Sequence, residues 1–187
     1  MRRCIALLSS SDASKRALID RILRVDHAGE YGARRIYEGQ LAVLGDKSEA
    51  GKAVREMYEQ EKRHFDVFEK AVVERRVRPT FLTPFWHVGG YVLGAATAML
   101  GKEAAMACTV AVETEISEHY NNQIRTLLEQ CPEEKELLKT LQEFRDDESH
   151  HKDVSLQHGA EKAPQYDALV TAVRGMTKLA VYIAERV

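Results

Sequence analysis

Four stretches of this sequence repeat apolar residues every three or four positions, and glutamate interrupts the apolar face in each of them. Two faces carry a lone glutamate, and two carry glutamate followed three residues later by histidine: Glu30, Glu113, Glu61 with His64, and Glu148 with His151. The apolar face of an amphipathic helix packs in the core, where a charged group is costly unless it is paired or binds a metal. Four interruptions at matching depths therefore predict one common site inside a bundle of helices.

The same spacing predicts helices at residues 15–45, 49–76, 103–130, 134–158 and 164–186. Glycine and proline mark the breaks between them, near residues 45–46, 79–84, 131–132 and 159–164. No segment alternates long enough to form a strand, so the fold class is all-α. A chain of 187 residues suffices for one domain with a sizeable core, whereas two domains would be cramped.

The two halves of the chain resemble each other when Glu30 is aligned with Glu113. Tyr37 then aligns with Tyr120, and the two Glu-x-x-His pairs also align, which indicates a duplicated helical hairpin. In each hairpin the lone glutamate and the Glu-x-x-His pair lie at similar distances from the turn, about 20 Å along each helix. Two hairpins packed face to face would therefore bring four carboxylates and two imidazoles to one level.

One glutamate from each of two helices, with Glu-x-x-His from each of the other two, is the ligand set of ferritin-like di-iron and di-manganese bundles. The spacing of three places both side chains of a pair on one helix face. Two divalent ions would balance the charge of four carboxylates, and carboxylate and imidazole ligands suit iron or manganese. We therefore expect two iron ions bound by Glu30, Glu61, His64, Glu113, Glu148 and His151. The alternative is that these residues lie on solvated helix faces and bind no metal.

The three cysteines are widely separated and form no C-x-x-C pair, which argues against a thiolate-bound zinc site or an iron–sulfur cluster.

Other polar and aromatic residues lie close in sequence to the expected ligands. His150 with Asp147 forms a rival pair, but His150 points away from the apolar face of its helix. Tyr37 and Tyr120 are expected to line the bundle near the metals. Asp147 and Asp26 are expected to orient the ligating histidines.

Residues 80–101 contain no Asp, Glu, Lys or Arg, and this length suits a membrane-spanning helix. A single crossing would place the two hairpins on opposite sides of the membrane, so we expect an interfacial or core-lining crossover helix instead. Gly90, Gly94 and Ala98 place small residues every four positions, which suits close helix packing or a seam between two copies of the chain. The last helix is amphipathic, and it either lies on a membrane surface or packs on the bundle.

The fold expected from these patterns has two parts: residues 1–14 as a short flexible N-terminus and residues 15–187 as a ferritin-like di-iron domain. The net charge of −2 provides no basic excess for a phosphate backbone, so no nucleic-acid partner is expected. No glycine-rich dinucleotide motif follows a strand, so an external reductant such as NADH would act without a Rossmann domain. Residues 1–11 carry Arg2 and Arg3 and no acid, which fits either a truncated mitochondrial presequence or a frayed terminus.

Four motifs stand along the chain: RVDHAGEYGA at residues 24–33, the pair Glu61-x-x-His64, AVE with HYNNQIR between residues 111 and 125, and FRDDE-x-x-H at residues 144–151. With these motifs the chain resembles the demethoxyubiquinone hydroxylases of ubiquinone biosynthesis over residues 18–187. The resemblance implies an O₂-dependent hydroxylation of the ring of 5-demethoxyubiquinone, a polyprenyl benzoquinone. It also implies that all six expected ligands bind iron.

The same resemblance implies a peripheral protein on the matrix side of the mitochondrial inner membrane, with a lipid-binding accessory protein as partner in a biosynthetic complex. A homo-oligomer is left open. Two other functions remain as alternatives. One is a ferroxidase or rubrerythrin-like peroxidase that uses the same six ligands without a quinone, and the other is a non-catalytic module at a lipid interface.

Overall fold

Residues 10–187 are described by the computed structural model, and they form α-helices joined by short connections. The helices are α1 (Ser10–Leu44), α2 (Glu49–Arg75), α3 (Thr83–Met99), α4 (Lys102–Gln130), α5 (Lys135–Gln157) and α6 (Tyr166–Ala184), with a 3₁₀ turn at Ala160–Lys162. This part of the chain contains no strand, so the all-α prediction is confirmed. The apolar crossover helix is α3, and the amphipathic C-terminal helix is α6.

The beginning of α1 is the helix end that differs most from its predicted position. The helix begins at Ser10 rather than at residue 15. Residues 10–14 contain neither glycine nor proline, and Asp12 in the first turn interacts favourably with the helix dipole. The helix can therefore extend back to Ser10. Residues 10–14 of the segment expected to be a flexible N-terminus are therefore helical, and residues 1–9 lie outside the described part of the chain.

The two helical hairpins are α1 with α2 and α4 with α5. They face each other through contacts of α1 with α4 and of α2 with α5, which closes a four-helix bundle. In the first hairpin Gly45 adopts a left-handed conformation (φ 66°) just after α1 ends. The Ser48 hydroxyl then accepts a hydrogen bond of 3.0 Å from the Gly51 N–H and caps the first turn of α2.

The crossover helix α3 packs most extensively on α1 and continues to α4. The backbones of α1 and α3 lie so close that a Cβ atom on Gly39 would be 2.1 Å from the carbonyl oxygen of Tyr91. A Cβ atom on Gly94 would be 1.9 Å from the carbonyl oxygen of Ile36. The small residues of α3 therefore serve packing within the chain. Between residues 10 and 187, none of the helices combines the length and the apolar character that a membrane crossing needs.

The last helix, α6, packs mainly on α4 and also contacts α1. Both α3 and α6 therefore lie beside α1 and α4, on the side of the bundle away from α2 and α5. Within the bundle, one apolar cluster contains Leu23, Phe68 and Leu141. A second cluster, nearer the α1–α2 turn, contains Leu41 and Val54. A layer of buried polar residues separates the two clusters.

Candidate metal centre

Four glutamates and two histidines from α1, α2, α4 and α5 meet in this polar layer. They are the residues that the sequence predicts as ligands, and none is more than 3% exposed: Glu30, Glu61, His64, Glu113, Glu148 and His151. Their ligand atoms form two overlapping groups of four, within each of which all atoms lie within 4.8 Å of one another. One group contains Glu30 and His64, the other contains Glu113 and His151, and both contain Glu61 and Glu148. The arrangement offers two cation positions that share two carboxylates.

Both histidines turn the same ring nitrogen towards this cluster. Nδ1 of His64 lies 3.1 Å from Oε1 of Glu148, and Nδ1 of His151 lies 3.0 Å from Oε2 of Glu148. The outer nitrogens have polar partners: Nε2 of His64 lies 3.0 Å from Oδ2 of Asp147, and Nε2 of His151 lies 3.2 Å from Oε1 of Gln60. An N–H donated outwards in this way fixes the ring and leaves Nδ1 free to bind a metal.

Several inner atoms of the cluster are buried without a hydrogen-bond partner: Oε2 of Glu30, Oε1 of Glu61, Oε1 of Glu148 and Nδ1 of His64. Although Nδ1 of His64 is close to Oε1 of Glu148, the two atoms lack the direction of a hydrogen bond. These atoms belong to Glu30, Glu61, His64 and Glu148, which form one of the two ligand groups. Because buried polar atoms are normally satisfied, this arrangement fits a pair of cations. A donor set of oxygen and imidazole nitrogen without thiolate suits iron or manganese.

Electrostatics in the cluster favour binding of positive charge. Burial raises the pKa of Glu61 and of Glu113 well above the usual range, and the Glu148 charge raises both further. Burial disfavours the charged form of both histidines, but the adjacent carboxylates outweigh it and raise the pKa of His64 to about 12 and that of His151 to about 11. The same two histidines outweigh the burial of Glu148 and lower its pKa to about 2. Metal-free protein therefore holds protons where metal-bound protein would hold cations.

Two tyrosines hold the lone glutamates in place. The hydroxyl of Tyr37 donates a hydrogen bond of 2.7 Å to Oε1 of Glu113, and the hydroxyl of Tyr120 donates one to Oε1 of Glu30. Each tyrosine thus bonds the glutamate of the other hairpin, and this reciprocal arrangement agrees with the internal duplication. The prediction that both tyrosines line the bundle near the cluster is confirmed. Because only one oxygen of each carboxylate is used, the other stays available for a cation.

The outer partners of the histidines were only partly foreseen from the sequence. Asp147 contacts His64 as predicted, and the rival ligand His150 is exposed. The expectation that Asp26 orients a ligating histidine is wrong, because its carboxylate instead accepts a hydrogen bond of 2.7 Å from Gln123 of α4. Gln60 was missed, since a single glutamine one position before Glu61 has no distinguishing pattern.

An apolar cavity of about 280 Å³ lies beside the cluster, between α1, α3, α4 and α6. Its wall includes Ala33, one turn beyond Glu30, and Val112, next to Glu113. The remaining lining residues are almost all apolar or glycine: Val25, Ala28, Gly29, Gly32, Ile36, Phe85, Trp86, Gly89, Gly90, Leu93, Ile116, Met176, Thr177, Ala180, Val181 and Ala184. A cavity of this size and character, near the lower end of ordinary ligand sites (about 300 Å³), suits an uncharged organic ring.

The residues of the ligand cluster and of the apolar cavity lie within a region that matches a known protein family. The family model described as "Ubiquinone biosynthesis protein COQ7" matches residues 17–184. The chain belongs to the COQ7 family. The resemblance drawn from the sequence motifs is thereby confirmed, and the match covers all six clustered ligands and the residues that line the cavity.

Relatives in the COQ7 family cover nearly the whole chain. The protein of Bos taurus named "NADPH-dependent 3-demethoxyubiquinone 3-hydroxylase, mitochondrial" is 54% identical over 94% of this chain and 81% of its own length. The "3-demethoxyubiquinol 3-hydroxylase" of Rhodospirillum rubrum is 49% identical over 94% of this chain and 82% of its own. The "5-demethoxyubiquinone hydroxylase, mitochondrial" of Saccharomyces cerevisiae is 41% identical over 95% of this chain and 81% of its own.

Proposed function

We propose that this protein uses O₂ to hydroxylate the ring of a demethoxyubiquinone in ubiquinone biosynthesis, with two iron ions bound by the six clustered residues. The observation that carries the proposal is the pair of overlapping four-ligand groups, together with an apolar cavity whose wall includes Ala33, one turn from Glu30, and Val112, next to Glu113. The names of the COQ7-family relatives supply the substrate class. When bound, the iron pair would supply the activation of O₂.

The protein's own residues hold the reacting groups and keep water away. Tyr37 and Tyr120 fix the carboxylates of Glu113 and Glu30 through their hydroxyl groups. On the other side of the cluster, Asp147 and Gln60 fix the two imidazoles. The apolar cavity receives the quinone ring within one helical turn of Glu30, and its lack of charged groups excludes bulk water from the reaction.

Two electrons must come from outside the chain, and we propose a reduced nicotinamide as their source. The bovine relative's name specifies NADPH, and NADH is the other candidate. The name of the Rhodospirillum rubrum relative specifies a quinol, which is consistent with electrons that pass through the bound ring. Comparing NADH with NADPH, each with and without quinone, would identify the donor.

The outer faces of α3 and α6 support a peripheral position on a membrane. Phe85 and Val88 of α3 are 70% and 60% exposed, and Leu179 and Tyr182 of α6 are 58% and 56% exposed. Both helices border the cavity, so a lipid quinone would pass from the bilayer directly into it. We propose the matrix side of the mitochondrial inner membrane as the location, since the bovine and yeast relatives are named mitochondrial.

Flotation with lipid vesicles tests this membrane assignment. The variants Phe85→Ser and Leu179→Ser should release the protein from vesicles. Val73→Ser, at an exposed position (66%) on α2, should not, because α2 lies on the other side of the bundle. A lipid-binding accessory protein or a second copy of the chain could occupy the same apolar face. If the three variants bind vesicles as well as the wild-type protein does, one of these protein partners, rather than the bilayer, would be favoured as the occupant of that face.

The hydroxylase proposal is tested by a product assay. Protein reconstituted with Fe²⁺ is given a demethoxyquinone, reduced nicotinamide and isotope-labelled O₂, and the ring is analysed by mass spectrometry. We expect one labelled oxygen per ring. Glu148→Gln should abolish the product, because this carboxylate is common to both ligand groups. Glu143→Gln, on the exposed side of the same helix, should leave it unchanged.

Other outcomes would favour the alternatives. Consumption of O₂ or peroxide with an unlabelled ring would support a ferroxidase or rubrerythrin-like peroxidase. Failure of the wild-type protein to bind Fe²⁺ would instead support a non-catalytic module at a lipid interface.

A further inference from the structure

Hydroxylation of a ring consumes protons as well as electrons. The route of the protons is inferred below for the proposed hydroxylase function, on which the inference rests. The overall step is R–H + O₂ + 2 e⁻ + 2 H⁺ → R–OH + H₂O, in which one oxygen atom enters the ring and the other leaves as water. The reduced nicotinamide supplies both electrons and, as hydride, one of the two protons, so one further proton must come from solvent. The cavity for the ring offers no charged group along its wall, so this proton needs another path to the cluster.

A row of polar side chains along the interface of α1 and α4 leads from the surface to Asp26, one turn before Glu30. The row begins at His119, whose Nε2 lies 2.8 Å from Nε2 of Gln123. The same amide nitrogen donates a hydrogen bond of 2.7 Å to Oδ1 of Asp26. Asp26 lies one turn before Glu30 on α1, on the same helix face. Tyr120, adjacent to His119 in the chain, donates its hydroxyl to Glu30.

The outer end of this row opens into a surface pocket of about 150 Å³. His119 and Gln123 line the pocket together with Arg21, Asn122 and Glu185. Arg21 and Asn122 are exposed, so solvent reaches the His119 ring from this side. The apolar cavity and this pocket share the lining residue Val25, but the pocket, unlike the cavity, is lined by the charged residues Arg21 and Glu185.

The inner end of the row contains acceptors that have no donor. Oδ2 of Asp26 and Oε1 of Gln123 are both buried without a hydrogen-bond partner, and the Asp26 side chain is 1% exposed. A buried carboxylate oxygen in this situation either holds a proton or binds an internal water. Burial raises the pKa of Asp26 well above its usual range despite the Gln123 bond, so the carboxyl group holds a proton readily.

We propose that His119, Gln123 and Asp26 form a proton-uptake path from the surface pocket to the Tyr120–Glu30 hydrogen bond. His119 exchanges protons with solvent at its outer ring nitrogen. Its inner nitrogen lies 3.8 Å from Oδ1 of Asp26, close enough for transfer after a small shift or through one water. Gln123 holds the two groups in register and carries no proton itself. Asp26 passes the proton towards Glu30, where the cluster consumes it.

The first test needs neither metal nor turnover. Metal-free protein is transferred into D₂O, and infrared spectroscopy follows the shift of the buried carboxylic acid band as deuterium enters the cluster. We expect Asp26→Asn, which keeps the shape and the Gln123 contact, to slow this exchange by on the order of 10-fold or more. Asp20→Asn, at a part-exposed position on the same helix, serves as the control and should exchange at the wild-type rate.

The second test uses the iron-loaded protein with quinone and reduced nicotinamide. His119→Gln and Asp26→Asn should lower kcat by on the order of 10-fold or more at unchanged KM for the quinone and enlarge the ratio of rates in H₂O and D₂O. Imidazole in the buffer should restore turnover to His119→Gly. The half-buried His158, which bonds a backbone carbonyl of its own helix, provides the control His158→Gln.

The outcomes separate this path from the hydroxylase proposal itself. If wild-type protein forms no hydroxylated quinone, the proposed function fails, and the exchange measurement still decides whether protons reach the cluster through Asp26. Wild-type exchange in Asp26→Asn would overturn the path. A lower kcat with an unchanged isotope ratio and no imidazole rescue would assign these residues a purely structural role and would also overturn it.

Discussion

Substitution of Gly32 by leucine should fill part of the apolar cavity without touching a metal ligand. A Cβ atom on Gly32 would meet nothing within 4 Å, and the residue lines the cavity. Leucine adds four carbon atoms that occupy space otherwise available to the quinone. At ~0.8 kcal/mol for each buried carbon, the ligand loses about 3 kcal/mol of favourable burial, a ~100-fold rise in Kd. Alanine at the same position adds one carbon and should raise Kd ~4-fold.

The protein provides its own probe for this measurement. Trp86 lines the cavity and is the single tryptophan of the chain, so a bound quinone should quench the entire tryptophan fluorescence. Titration of wild-type, Gly32→Ala and Gly32→Leu proteins with a short-tailed demethoxyquinone gives the three values of Kd. Binding of Co²⁺, followed by its visible absorption, should be equal in all three because the cluster is unchanged.

Gly175→Leu is the matched control, because Gly175 also has open space around it but is exposed on α6 and outside the cavity. Both leucine substitutions replace glycine within a helix and should stabilise the fold by about 1 kcal/mol, so loss of stability cannot explain weaker binding. Equal quinone affinity in Gly32→Leu and Gly175→Leu would refute the assignment of the cavity to the quinone.

Three further predictions concern the cluster and α6. Because His64 and His151 have pKa values near 12 and 11 without metal, both must lose protons on binding. The apparent affinity for Co²⁺ should fall about tenfold per displaced proton for each unit decrease in pH, measured by calorimetry in buffers of different ionisation enthalpy; proton-independent binding would contradict this. Tyr37→Phe removes the hydrogen bond to Glu113, so it should lower the free energy of unfolding of metal-loaded protein by about 1.5–3 kcal/mol, measured by urea denaturation. In the same assay the control Tyr58→Phe, which loses a part-buried hydrogen bond to Glu38, should lower it by ~1 kcal/mol or less. Arg174→Ala leaves buried Glu115 with Lys178 at 3.4 Å as its remaining cation, so α6 should unfold first in hydrogen exchange; Glu118→Gln, which removes an exposed partner of Arg174, should not change this order.

The helices and the six clustered residues follow from the sequence because helical spacing is a local property. Glu-x-x-His places both groups on one face whatever the helix packs against, and the equal arms of the two hairpins set their height. The same reasoning predicted Tyr37 and Tyr120, because the duplication superimposes them. Iron itself remains a prediction that metal analysis must test.

The neighbours of the cluster could not be predicted in the same way, since they depend on how separate helices face each other. Asp26 lies on the same face as Glu30, yet its partner is decided by the position of Gln123 on α4. Gly90 and Gly94 indicate close packing, but the sequence does not reveal whether the neighbour is α1 or another copy of the chain. The cavity is lined by residues from four helices, so the spacing of residues within any one helix cannot predict it.

In the described part of the chain, α2 and α5 contribute both histidines and no residue of the cavity wall, which α1, α3, α4 and α6 provide. Within the described residues, α3 and α6 therefore shape the cavity without supplying a metal ligand, whereas α1 and α4 contribute to both. Substitutions in α3 and α6 can lengthen or narrow the cavity while the imidazoles and their partners stay unchanged. Exchange of α3 and α6 between relatives should accordingly change the affinity for the quinone ring while metal binding stays the same.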